Sequence, residues 1–220
     1  MMSKQKKTSF RDYITLNAIP ILIEVVFILS CLIVPSSYLI YTNALFYFLL
    51  LVYFLISKDL NLKEWFRSFK SGRKYWIQVL LTFLGFVLTF ALTRMLEGFF
   101  PNFEIGSISL RRDSWLTLIV FSISTIFLPA VTEETFYRKN MILFDSKKAI
   151  FLTTFFSMLL YALEHSLSWW GIFLTMIWAL PLSFSYIRTR NIYVVMTAHF
   201  IGNLIGNGSD VIATLIHWLS

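Results

Sequence analysis

Runs of about 20 predominantly apolar residues recur from one end of this chain to the other, and they demand a bilayer rather than a water-facing surface. Inside hydrocarbon every backbone N–H and C=O must be paired within the segment, so these runs read as helices. The expected spans are 14–34, 38–57, 75–96, 115–144, 149–167, 169–187 and 191–207. A short apolar segment, 210–219, follows; at about 1.5 Å per residue it reaches only about half the hydrocarbon core. The expectation is an all-α polytopic transmembrane helical bundle with about 7–8 membrane segments. Composition agrees: 57% of residues are hydrophobic and 14% charged, where a soluble domain carries roughly a quarter charged. The first run follows "KQKK" but is long, carries Pro20 and Glu24 and lacks a small-residue cleavage site, so it is expected to stay as a span.

Charge fixes the orientation. The balance of 19 basic against 12 acidic residues gives a net charge of +7, but the basic residues sit between apolar runs, which excludes a nucleic-acid partner and points to membrane-orienting loops. Basic clusters occur at Lys4, Lys6, Lys7 and Arg11, in loop 58–74, at Arg138, Lys139, Lys147 and Lys148, and at Arg188 and Arg190; "PSS" and "HSLSWW" carry none. By the positive-inside rule the chain is a multi-pass cell-membrane protein with its N-terminus in the cytoplasm. Only loop 97–114, with Arg111 and Arg112, blurs the alternation. Within 58–74, Leu62, Trp65, Phe66 and Phe69 recur at helical spacing against lysine and arginine, the pattern of an amphipathic helix in the cytoplasmic interface. The single cysteine, Cys31, excludes an internal disulfide within these residues and a multi-cysteine metal site.

Ionisable groups within spans are costly and by default mark function. "PAVTEETFYRKN", residues 129–140, places Glu133 and Glu134 after an apolar run. Glu134 and Arg138 are four apart and share a helical face, with the acid on the favourable N-terminal side. Glu133 is rotated about 100° from Glu134, so the two acids cannot do the same job. Arg138 can neutralise Glu134 as a clamp, which leaves Glu133 to face a cavity. Tyr161 and His165, and His199 and Asn203, are further pairs four apart. A carboxylate in a low-dielectric site beside a histidine can take a proton from water, and a second histidine with an amide can donate to a developing oxyanion. Counted from the cytoplasmic helix ends, Glu133 lies about 16 Å deep, His165 about 25 Å and His199 about 12 Å, a spread that tilted helices can accommodate. Glu24 and Arg94 read as buried pairing or snorkelling groups, and His217 has no matching polar partner in the pattern.

With "EETFYR" at 133–138, "YALEH" at 161–165 and "HFIGN" at 199–203, the sequence resembles the CAAX-protease and bacteriocin-processing family of intramembrane proteases, also called the Abi family, which includes the type II CAAX prenyl endopeptidases. The family pattern has two glutamates with an arginine four after the second, an aromatic four before a histidine, and a histidine four before an asparagine. Tyr161 stands where phenylalanine is usual, and Glu164 is an acid that the pattern does not require. The resemblance covers 115–207 and implies a catalytic helical core there, between N-terminal membrane helices and an interfacial helix in 1–114 and a short C-terminal segment in 208–220. It implies that Glu133 activates water with His165, that His199 and Asn203 stabilise the oxyanion, and that Glu134, Arg138 and Tyr161 support the site. Two chemistries stay open. Zinc held by Glu133, His165 and His199 would leave one position for water; water activated by Glu133 without a tightly bound metal is the preferred alternative, because the wide separation of the histidines is unlike the compact HExxH arrangement.

The sequence therefore reads as an endopeptidase acting on a peptide or membrane-protein substrate near the cytoplasmic face, in bacterial peptide or bacteriocin maturation, signalling or self-immunity. A non-catalytic membrane partner that modulates a sensor or confers immunity by binding is the rival reading; a small transporter is disfavoured by the lack of an internal repeat.

Overall fold

A computed structural model of the protein describes residues 10–220; Lys4, Lys6 and Lys7 of the N-terminal basic cluster lie outside the described residues. Among the described residues eight helices follow one another: α1 (Phe10–Ile33), α2 (Leu39–Ile56), the short α3 (Leu62–Ser68), α4 (Arg73–Phe99), α5 (Trp115–Asn140), α6 (Lys147–His165), α7 (Trp169–Thr189) and α8 (Ile192–Leu219). Five of them, α1, α2, α4, α5 and α7, are long and apolar enough to cross a membrane. Outward-facing side chains such as Leu22, Leu88 and Phe151 are exposed and apolar, the surface that a multi-pass protein presents to lipid.

The helix starts follow from local chemistry. Ser114 and Thr117 form a reciprocal capping box at the start of α5; Ser146, Ser168 and Asn191 each accept a backbone N–H at the starts of α6, α7 and α8. These caps satisfy donors that the first helical turn leaves orphaned.

The centre of the bundle is α5, packed by α2, α6 and α8. It is not a regular α-helix: two π-helical stretches, Ile123–Phe127 and Glu134–Asn140, flank a short α-helical segment, Leu128–Glu133. Pro129 contributes to the first irregularity, because it has no N–H to give to the Thr125 carbonyl four residues earlier. The side-chain amide of Asn207 on α8 donates to that carbonyl instead, at 2.9 Å. The helix ends at Asn140 rather than at 144. The "MILF" run leaves the helix but stays in the core: Met141 and Ile142 are buried, and the Met141 carbonyl accepts from Tyr13 Oη of α1 at 3.0 Å.

Two expectations change at the termini of this frame. The segment 210–219 does not form a separate half-span, because α8 runs unbroken through it to Leu219. The interfacial helix is only seven residues long and is docked as well as amphipathic. Trp65 is buried and donates to Thr197 of α8 at 2.8 Å, whereas Phe66 stays exposed.

Candidate active site

The acids sit side by side on α5 with divided roles. Glu134 and Arg138 are both fully buried, with Arg138 Nη1 3.3 Å from Glu134 Oε1; this is an ion pair without hydrogen-bond alignment. The Arg138 guanidinium also lies 4.7 Å from the centre of the Tyr161 ring, a cation–π contact that is strengthened away from water. Tyr161 also meets the imidazole of His165, with ring centres 4.4 Å apart. The aromatic position four before the histidine therefore contacts both Arg138 and His165.

His199 reaches across from α8. Its Nδ1 lies 2.6 Å from Glu134 Oε1, and its Nε2 lies 3.9 Å from Glu133 Oε2. An ionised carboxylate only accepts, so Nδ1 carries the hydrogen of that bond and Nε2 of the neutral ring presents its lone pair toward Glu133. His165 is oriented in the same way by a backbone group: its Nδ1 donates to the Tyr161 carbonyl at 2.9 Å, which leaves Nε2 as the acceptor. The histidine ring nitrogen within 4 Å of Glu133 is thus that of His199, at 3.9 Å. Oxyanion donation by His199 requires the protonated ring, because the neutral ring has its only hydrogen on Nδ1. Asn203, one turn further along α8, lines the same cavity.

That cavity has a volume of about 640 Å3. Glu133, His165, His199 and Asn203 line it together, and Phe83, Phe86 and Phe90 of α4 form an apolar wall. Gly202 lets that wall approach, since a Cβ there would stand 3.0 Å from the Phe86 ring. The lining runs out to Ser109, Leu110 and Arg112 of the α4–α5 loop and to Asp210 of α8. Arg112 and Asp210 pair at 3.2 Å. No residue of the basic segments 58–74, 138–148 or 188–190 contributes to the lining.

Two groups enter the site that the motifs do not contain. Glu133 Oε1 accepts from Tyr47 Oη of α2 at 2.6 Å. The same hydroxyl contacts Glu164 Oε1, whose other oxygen accepts from Tyr137 at 2.6 Å. One Tyr47 hydroxyl serves two carboxyl groups, which joins the trio into a single hydrogen-bonded unit. Signals for both were present in the sequence: Glu164 is an acid inside an apolar helix, and Asn43 with Tyr47 forms a polar pair four apart in an apolar run. Glu24 is fully buried close enough to Glu164 and Glu133 to interact with their charges. Arg94 instead pairs with Glu97 at the bundle surface, at 2.9 Å.

The metal-ligand set suggested by the sequence, Glu133 with His165 and His199, is not the one that the structure brings together. Glu133, Glu134 and His199 each offer an atom within 4.8 Å of the others. Two carboxylates and an imidazole fit a divalent cation such as zinc by donor type, although the Arg138 charge beside Glu134 opposes one.

Residues 114–205 match the family described as type II CAAX prenyl endopeptidase Rce1-like. No curated protein and no solved structure matches the chain. The matched stretch contains both acids of α5, both histidines and Asn203, and through these helices the chain is similar to the CAAX-protease family of membrane proteins.

Proposed function

We propose that the chain is an intramembrane endopeptidase that hydrolyses a peptide bond of a peptide or membrane-tethered substrate at the floor of the α4–α5–α8 cavity. The observation that carries this reading is the asymmetry of Glu133. Its Oε1 is held by Tyr47, while its Oε2 has no hydrogen-bond partner and faces His199 Nε2 beside the cavity.

In this reading Glu133 takes a proton from a water molecule, and the resulting hydroxide attacks the substrate carbonyl. His165 Nε2 accepts a hydrogen bond from the same water and orients it. The Asn203 amide donates to the oxygen that becomes negative in the tetrahedral intermediate. When the intermediate collapses, the C–N bond breaks, and the proton held by Glu133 passes to the departing amine. Glu134, fixed by Arg138, holds His199 by Nδ1, and His199 Nε2 is available to share the proton with Glu133. A zinc ion, if held by Glu133, Glu134 and His199, would supply Lewis-acid polarisation of water.

The basic loops favour a cytoplasmic N-terminus. On that orientation Glu133 lies about 10 Å from the cytoplasmic end of α5, but the cavity walls continue toward loop 109–112 at the other end of the bundle. On that orientation the lining favours substrate access from the opposite face over access near the cytoplasmic face. The biological context we favour is bacterial peptide or bacteriocin maturation, signalling or self-immunity.

Mass spectrometry of peptides released by the purified protein tests the reading, with Glu133→Ala as the control. New termini that appear with the wild type and not with the variant are the expected result. Their absence, together with an unchanged cellular phenotype in Glu133→Ala, would support the non-catalytic binding partner instead.

A further inference from the structure

Tyr47 lies in α2, outside the stretch 114–205 that matches the family, yet it is the residue that holds the outward acid of α5. Its hydroxyl donates to Glu133 Oε1 at 2.6 Å. The hydroxyl oxygen also contacts Glu164 Oε1, so with its one hydrogen on Glu133 it accepts from Glu164 in the protonated carboxyl form, and Glu164 accepts from Tyr137 through its second oxygen at 2.6 Å. All four side chains are buried. The Tyr47 ring packs on Phe46, which stacks on Phe27 of α1, so packing fixes the ring while the hydroxyl serves the acids.

We propose that Tyr47 and Glu164 form a positioning chain for hydrolysis: Glu164 fixes the Tyr47 hydroxyl, and the hydroxyl pins one oxygen of Glu133 so that the other faces the cavity. Without the pin, the Glu133 carboxyl can rotate about its side-chain bonds and spend most of its time away from the attacking geometry. A displacement of about 1 Å at a reacting group costs on the order of 10²-fold in rate. The inference rests on the hydrolytic reading of the same site.

The test uses the full chain, purified in detergent, acting on a quenched fluorescent peptide library with and without an S-prenyl cysteine. Tyr47→Phe keeps the ring and removes the hydroxyl, so kcat should fall by about 10- to 100-fold while KM and the thermal midpoint stay near wild type. Glu164→Leu should lower kcat as far. Glu164→Gln, which keeps a donor for Tyr47 and an oxygen for Tyr137, should restore most of the loss. The double variant Tyr47→Phe/Glu164→Leu should be no slower than Tyr47→Phe alone, because both changes break one chain.

Wild-type kcat in Tyr47→Phe would overturn the inference and leave the protease reading standing. So would multiplicative losses in the double variant, or a Glu164→Gln form as slow as Glu164→Leu. If Tyr47→Phe does not fold, the Glu164→Gln and Glu164→Leu pair decides alone. Absence of cleavage by wild type that is lost in Glu133→Gln would overturn the protease reading, and this inference with it.

Discussion

Glu134 Oε1 receives two partners at once, the His199 Nδ1 atom at 2.6 Å and the Arg138 guanidinium at 3.3 Å. This acid is therefore the joint between α5 and α8, and its neighbour Glu133 is free to act because Glu134 is not. Replacing Glu134 with glutamine should leave a buried arginine without its counter-charge. Breaking one side of a buried pair costs roughly 3–5 kcal/mol, so the thermal midpoint in detergent should drop markedly. Glu133→Gln should instead keep the midpoint near wild type and abolish turnover. A well-folded Glu133→Gln protein with near-normal cleavage would remove Glu133 from the role of base.

Asn203 lines the cavity one turn beyond His199. If its amide holds the oxyanion, Asn203→Ala should lower kcat by roughly 10²–10³-fold with little change in stability. An unchanged kcat would place the oxyanion elsewhere in the cavity.

Metal analysis of purified protein separates the two chemistries. With water activated by Glu133 alone, activity should survive chelation, and zinc should fall well below one per chain. If zinc is present at one per chain, the geometry assigns it to Glu133, Glu134 and His199. His199→Ala should then lose the metal, whereas His165→Ala should keep it. Loss of stoichiometric zinc in His165→Ala would restore the ligand set suggested by the sequence.

Access to the cavity can be mapped by cysteine labelling in a Cys31→Ser background. A membrane-impermeant maleimide added to intact cells should label cysteines placed at Ser36 and Ser109, while one placed at Ser71 should react only after lysis. Labelling of Ser71→Cys from outside would invert the topology and turn the cavity toward the cytoplasm.

The bond from Asn207 to the Thr125 carbonyl compensates for Pro129. Asn207→Leu leaves that carbonyl without its side-chain donor, and the expected loss is about 1–3 kcal/mol, read as a lower thermal midpoint. A midpoint equal to wild type would show that the π turn satisfies the carbonyl unaided.

Much of this arrangement was legible in the sequence because apolar length and the spacing of four are direct consequences of helix geometry. Five of the expected spans follow from apolar length, and the Glu134–Arg138 pair and the contact of Tyr161 with His165 follow from residues that share one helical face. What could not be read is contact between helices. Nothing in the spacing says that His199 comes closer to Glu133 than His165 does, since that depends on how α8 lies along α5. Tyr47 was hidden among the many aromatic residues of α2, and Glu164 was visible as a buried acid but without a partner to explain it. The end of α5 was misplaced because an apolar run does not distinguish a helix from a buried turn such as Met141–Ile142.

The two π turns of α5 bind chain length to the aim of Glu133. Each accommodates an extra residue in the helix, so a one-residue deletion at Ile123–Phe127 can be taken up by relaxation of that turn to α geometry with Glu133 still facing the cavity. A residue inserted as regular α-helix between Trp115 and Glu133 would instead swing everything on one side of it by about 100°. Either Glu133 would turn away from the cavity or the whole N-terminal half of α5 would rotate against α2.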